Sequence, residues 1–196
     1  MAKNIKRKFV KMAMVLLIVF CGAFVFTECQ TTTVQAASAT TMKKAYQKYV
    51  KKHRKNIKGY AYANIGPKGK PALLIGVEKA WGSKNGYSSC WVYYYINGKV
   101  RAVYPYLGGR AISIGRKDGN NYLINGTSSD KVVANIRGNR LCMTHYLNTK
   151  ERNYTTQKRI EKTPNYLSTS YWMSYSNYSK AVKKFKNVKT IKFKKP

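Results

Sequence analysis

The chain has few residues that could carry acid–base or nucleophilic chemistry. It contains His53 and His145 as its 2 histidines, and 6 Asp and Glu residues in a length of 196. Cys142 lies three residues before His145, which on a strand places the two side chains on opposite faces. Neither histidine has an obvious orienting carboxylate near it in sequence, so no catalytic residue is assigned. Because residues distant in sequence can converge in a fold, an extracellular hydrolase that uses His145 remains the enzymatic alternative.

The cysteines do not predict a metal site. Cys90, Cys142 and His145 lack the C-x-x-C spacing that is typical of zinc ligands, and no cofactor is expected. In an exported protein, Cys90 and Cys142 suggest one disulfide. Buried free thiols that pack as small apolar side chains are equally ordinary, so the sequence leaves this pair open.

The charge balance predicts an anionic partner. Lys and Arg number 38 against 6 acidic residues, a formal net charge of +32. Such a charge attracts polyanions over a long range at low salt. Outside a cell these are wall teichoic acids, acidic polysaccharides, anionic lipid headgroups and nucleic acid. Nucleic acid is the lesser expectation, since no nucleic-acid-binding motif is present. The alternative is that many lysines simply form a solvated surface.

The N-terminal 36 residues have the layout of a secretory signal peptide. A basic stretch at 3–11 precedes an apolar run at 12–26, and Val34-Gln35-Ala36 offers small residues for cleavage. An uncleaved membrane anchor is the alternative. We therefore expect a secreted or envelope-associated protein with one domain at 37–196.

A β-hairpin at 90–106 is the strongest structural signal. Asn97-Gly98 predicts a two-residue turn, which sets Tyr94 opposite Arg101, a cation–π pair on a partly wet face. The other face carries Trp91, Tyr93 and Tyr95, and it either belongs to the core or stacks on sugars or bases. The predicted ligand contacts are Tyr94, Lys99, Arg101, Arg110, Arg116 and Lys117.

The remaining elements complete an α+β fold, an antiparallel β-meander packed by an N-terminal amphipathic helix and a short C-terminal helix and strand. We expect the helix at 40–55, the meander at 59–147, a loop at 148–170 and the helix and strand at 171–196. Read alone, the first helix is basic and amphipathic. A membrane-active toxin or antimicrobial, acting on an anionic membrane surface, predicts that Met42, Tyr46 and Tyr49 are exposed; packing on the sheet is the alternative.

The segment YAYANI at 60–65, followed by PALLI at 71–75, resembles a class of small secreted proteins from Gram-positive gut anaerobes. Their hairpin unit is similar to a propeller-blade repeat with an Asp-rich calcium loop. In this chain the equivalent loop, NIGPKGK at 64–70, has lysines in place of the carboxylates. The resemblance therefore implies a β-hairpin and argues against calcium, which needs oxygen ligands.

The segment WVYYYINGK at 91–99 resembles one unit of the aromatic cell-wall-binding repeats of the choline- and glucan-binding type. Those repeats bind ligands between tandem hairpins, and one good copy is found here, so the ligand site does not carry over. Together these patterns favour non-enzymatic binding to anionic cell-envelope polymers or acidic glycans.

Overall fold

A computed structural model of the chain describes residues 37–79, 87–104, 111–164 and 166–196, which contain two helices and eleven strands. The predicted α+β class is confirmed. The predicted signal segment at 1–36 and the candidate contact Arg110 lie outside the described residues. Neither described helix is long and apolar enough to cross a bilayer.

Helix α1 (Ala39–His53) covers one face of a four-stranded sheet. It begins where the Ser38 hydroxyl accepts a hydrogen bond from the Thr41 amide at 3.1 Å, and a 3-10 turn at Arg54–Asn56 extends it. Met42, Tyr46 and Val50 recur at helical spacing and are buried.

The four-stranded sheet is antiparallel in chain order. Its strands are β1 (Gly59–Ala63), β2 (Ala72–Lys79), β3 (Tyr87–Ile96) and β4 (Lys99–Tyr104). Both β2 faces are covered, because α1 lies on one side and the second sheet contributes to the same core on the other. Leu73, Leu74 and Ile75 are consequently buried. This matches the nearly continuous apolar sequence of β2.

The second sheet has seven strands, in the order β11-β5-β6-β7-β8-β10-β9. These are β5 (Ser113–Lys117), β6 (Asn120–Gly126), β7 (Asp130–Arg137), β8 (Arg140–Asn148), β9 (Gln157–Lys162), β10 (Tyr166–Met173) and β11 (Lys186–Thr190), with helix α2 (Tyr175–Val182) before β11. The predicted meander at 59–147 is divided between the two sheets, because β1 to β4 form one antiparallel meander and β5 to β8 form another. Strand β10 pairs with β8 in parallel, while β9 pairs with β10 in antiparallel fashion.

The prediction of a loop over 148–170 is wrong, because β9 and much of β10 lie there. Strand β9 is exposed along its whole length, so its sequence has no buried alternation to reveal it. Strand β10 places Ser168 and Ser170 where a core strand usually has apolar residues, and this masks the alternation.

The central hairpin has the predicted register near its turn. Pairs from Ile96↔Lys99 to Tyr93↔Ala102 are as expected, and a bulge then sets Val92 opposite Tyr104. The face that carries Tyr94 is partly wet near the turn, as predicted, because Lys99 and Arg101 are exposed, but the predicted Tyr94–Arg101 cation–π pair is wrong. Tyr94 is 5 % exposed, because the second sheet packs against that side, and no cation–π contact with Arg101 is recorded among the described residues.

The Cys90–Cys142 disulfide that the sequence left open is not formed. Cys90 and Cys142 are both free thiols. Cys90 is buried in the core, whereas Leu141 and Met143 occupy the core face of β8. Strand alternation therefore turns Cys142 to the opposite face, out of reach of Cys90.

Candidate ligand-binding cleft

A cleft forms where β6 and β7 separate. The β5–β6 and β7–β8 ladders both continue to their turns. The β6–β7 ladder instead stops at the pair Leu123↔Ala134. Beyond that pair the tips of the two hairpins are no longer paired to one another.

The loop between β1 and β2 occupies the resulting gap. The Ile136 amide donates to the Ile65 carbonyl oxygen at 2.9 Å. The Asn121 side-chain amide donates to the Asn64 carbonyl oxygen, also at 2.9 Å. These two bonds hold a loop of the first sheet against two hairpins of the second.

We call the cavity between these three turns the tip cleft, and its volume is about 530 Å³, within the range of small-molecule sites. It is lined by Asn64, Ile65, Gly66, Pro67, Lys68, Gly69, Gly119, Asn120, Asn121, Asn135, Ile136, Arg137 and Gly138.

The β1–β2 loop is closely fitted to the protein beneath it. The Gly66 amide donates to the Lys70 carbonyl oxygen at 2.8 Å. A Cβ on Gly66 would lie 2.7 Å from the Tyr94 hydroxyl and 2.8 Å from that same carbonyl oxygen, so a larger residue would displace the loop. Lys68 adopts a left-handed conformation, with φ of 53°, which is unusual for a residue with a side chain.

The lining combines amides with cations. Asn64, Asn120, Asn121 and Asn135 each carry a side chain that donates and accepts hydrogen bonds. Lys68 and Arg137 supply positive charge, and no Asp or Glu is among the described residues that line the cleft. Such a surface suits a ligand that has both hydroxyl groups and negative charge.

Arg116 extends the basic surface beyond the cleft. It is exposed and lies opposite Asn121 in the β5–β6 ladder. A hollow of about 170 Å³ lined by Arg116, Asn121 and Lys189, among others, shares Asn121 with the tip cleft. Of the predicted contacts, Arg116 is therefore a direct neighbour of the cleft.

The other predicted contacts are dispersed. Lys99 and Arg101 are exposed on the β3–β4 hairpin and do not line the cleft. Lys117 lies 5.5 Å from the centre of the Phe185 ring and 3.9 Å from the Asp118 carboxylate. Tyr94 is buried under the β1–β2 loop, so it supports the cleft instead of contacting a ligand.

Sequence reasoning missed Lys68, Arg137 and the four asparagines. Their Gly- and Asn-containing turns were recognisable as turns. That three such turns meet depends on the contact between the two sheets, which has no local signal in the sequence.

His145 is the alternative candidate for a functional site, as the catalytic residue of a hydrolase. It lies on β8 between Val132 of β7 and Ser170 of β10, and Asp130 follows on the same face of β7. Burial lowers the pKa of His145, and the nearby Asp130 and Glu161 carboxylates oppose that change. His145 is thus not isolated from reactive groups.

Among the described residues, the polar groups nearest His145 lie on adjacent strands but are not hydrogen-bonded to it. In the part of the chain that the structure describes, no hydrogen bond joins His145 to Ser170 or Asp130, and one Asp130 carboxylate oxygen (Oδ1) is buried without a partner. A hollow of about 170 Å³ beside it is lined by Arg159, Glu161, Ser168, Ser170 and Trp172. Across the described ranges, no group of three or more His, Cys, Asp or Glu side chains is placed to hold a metal ion.

Helix α1 does not present its apolar face to solvent. Met42 is 2 % exposed and Tyr46 fully buried, and the Tyr49 ring lies 5.1 Å from that of Tyr93. The membrane-active hypothesis predicts that Met42, Tyr46 and Tyr49 are exposed, and this prediction is wrong for the folded domain.

Comparisons with protein-family models, curated proteins and solved structures found no match.

Proposed function

We propose that the domain at 37–196 is a secreted, non-enzymatic module that binds anionic cell-envelope polymers or acidic glycans. The observation that carries this proposal is the lack of internal neutralisation. Among the described residues the one recorded salt bridge is Lys117–Asp118, at 3.9 Å, with an Asp118 side chain that is 80 % exposed. The other described lysines and arginines have no carboxylate partner.

The positive charge is also spread over several of the described elements. The exposed side of α1 carries Lys43, Lys44 and Lys48, and the edge strands β9 and β11 are exposed along their length. Lysines on edge strands discourage edge-to-edge pairing, and here they add to the same positive field. A field of this kind raises the local concentration of a polyanion and speeds its association.

The test is retention of the mature domain on purified cell envelope at increasing NaCl. Because binding would release counterions from the polymer, retention should fall steeply and roughly linearly on a log–log plot, as for other cationic protein–polyanion complexes. Retention that does not change with salt would contradict the proposal. The heat-denatured domain has the same net charge, so its retention measures how much of the binding is due to charge alone.

A hydrolase is the second candidate, and the proximity of His145, Ser170 and Asp130 on adjacent strands supports it. With its pKa lowered by burial, His145 would be neutral and able to accept a proton at neutral pH. Hydrolysis of ester-bearing envelope polymers should then rise with pH through a pKa below the usual histidine value and level off near neutrality. His145→Gln should abolish it, while His53→Gln should not. Equal rates for both variants and the original chain would exclude this role.

A further inference from the structure

We infer that the tip cleft is a saccharide site that selects a hexuronate-type sugar, one that carries several hydroxyl groups and a carboxylate. This inference rests on the proposed function and narrows it. General attraction by lysines would bring any polyanion to the surface, whereas the cleft would recognise one chemical class.

The amides supply the hydroxyl recognition. Asn135 is 6 % exposed, and no side-chain hydrogen bond is recorded for it within the described part of the chain. Asn64 and Asn120 are exposed at the cleft rim, and the Asn120 amide uses one N–H to hold its own turn through the Asp118 carbonyl oxygen at 3.0 Å. Each amide oxygen and remaining N–H can pair with a sugar hydroxyl, which also donates and accepts.

The two cations supply the carboxylate recognition. Lys68 comes from the β1–β2 loop and Arg137 from the β7–β8 hairpin, so they reach the cleft from different sheets. A guanidinium group can hold a carboxylate through two parallel hydrogen bonds. Because the described lining residues include no Asp or Glu, none of them competes for these cations.

The composition of the lining favours a hydroxyl-rich ligand over a polyphosphate chain. A polyphosphate chain offers charge with few hydroxyls, and it would be matched by cations more than by amides. The described residues that line the cleft include no aromatic side chain, so none of them offers a platform for stacking on a nucleobase or a quaternary ammonium group. Four amides and two cations instead match a ligand rich in hydroxyls with sparse negative charge.

The cleft is also organised before binding. The Ile136–Ile65 and Asn121–Asn64 bonds join its walls, and Tyr94 fills the space under Gly66. Because the cleft loses little conformational entropy when a ligand binds, more of the free energy of the contacts contributes to affinity.

The experiment is calorimetric titration of the mature domain with tetragalacturonate, with its carboxyl-reduced neutral analogue and with inorganic polyphosphate. The test variant is K68Q/R137Q. The matched control is K51Q/R54Q, which removes the same charge from exposed positions that do not line the cleft. We expect K68Q/R137Q to weaken tetragalacturonate binding about tenfold or more, as loss of charged hydrogen bonds does, and the control to weaken it less than about twofold.

A second variant, Asn64→Ala, separates recognition from charge and from folding. The Asn64 side chain is exposed, and its hydrogen bond to Asn121 uses the backbone oxygen, so the fold should persist with an unchanged unfolding midpoint. Asn64→Ala should weaken binding of tetragalacturonate but not of polyphosphate.

Each outcome has one meaning. Equal losses in the two double variants, or an Asn64→Ala variant that binds tetragalacturonate as the original chain does, would overturn the cleft assignment and leave the proposed function standing. If the original chain binds none of the polyanions at low salt, the proposed function itself fails.

Discussion

At the scale of single residues, Tyr46 connects the first helix to the sheet by more than apolar contact. Its hydroxyl donates to the Pro71 carbonyl oxygen at 3.0 Å and accepts from the Tyr95 amide at 3.2 Å. Its ring stacks with that of Tyr62, at 6.1 Å between centroids. Burial raises the pKa of this hydroxyl above its ordinary value, so it stays protonated and able to donate.

Tyr46→Phe should therefore lower the free energy of unfolding by about 1–3 kcal/mol, because it leaves a buried carbonyl and a partly buried amide unpaired. Urea denaturation followed by fluorescence measures this change. The matched control is Tyr60→Phe, since Tyr60 is half-buried and no hydrogen bond of its hydroxyl is recorded among the described residues; it should change stability by less than about 0.5 kcal/mol. Similar losses in both variants would show that the Tyr46 hydroxyl contributes nothing specific.

At the scale of elements, the chain uses a loop of one sheet to complete the other. The β6–β7 ladder ends early, and the Ile136 amide finds its partner in the β1–β2 loop instead of in β6. Buried amides are seldom left unpaired. The bond from the Ile136 amide to the Ile65 carbonyl oxygen replaces the ladder bond to β6, so the two hairpin tips can separate without leaving Ile136 unpaired. The tip cleft is a consequence of that separation.

The Ile136 amide should accordingly exchange with solvent as slowly as a strand amide, about 100-fold or more slower than the Gly138 amide in the adjacent turn. Hydrogen exchange followed by NMR measures both. In Asn121→Ala, which removes the neighbouring bond to Asn64, protection of Ile136 should fall while that of Leu123 in the core is retained. Rapid exchange at Ile136 in the unaltered chain would mean that the loop does not hold the two sheets together.

At the scale of the whole molecule, charge and stability oppose each other. A net charge of +32 with one recorded salt bridge among the described residues makes the folded state self-repulsive. A bound polyanion would relieve that repulsion, as would screening by salt.

The thermal unfolding midpoint of the domain at 37–196 should rise by about 2–6 °C, or roughly 1–2 kcal/mol, between 10 mM and 0.5 M NaCl. Scanning calorimetry in NaCl measures this, and sulfate is avoided because it stabilises most proteins by exclusion. A midpoint that falls or stays constant over this range would show that mutual repulsion of the cations does not limit stability.

The sequence by itself determined the features that depend on neighbouring residues. The Asn97-Gly98 turn and the register beside it, the buried face of α1 and the apolar run of β2 are as predicted, because turn chemistry and side-chain periodicity are local properties. The cationic character of the surface also follows from composition alone, since 6 acidic residues cannot neutralise 38 basic ones.

The tertiary structure alone decided which distant segments meet. Four features depend on contacts between residues far apart in sequence. They are the pairing of β9 with β10, the outward face of Cys142, the burial of Tyr94, and the presence of Lys68 and Arg137 at one cleft. Exposed edge strands and polar turns lack the periodic pattern of apolar residues from which such contacts could be predicted. The charge of this protein could therefore be predicted from its sequence. The position of the tip cleft, where cations lie beside hydrogen-bonding amides, was determined by the packing of one sheet on the other.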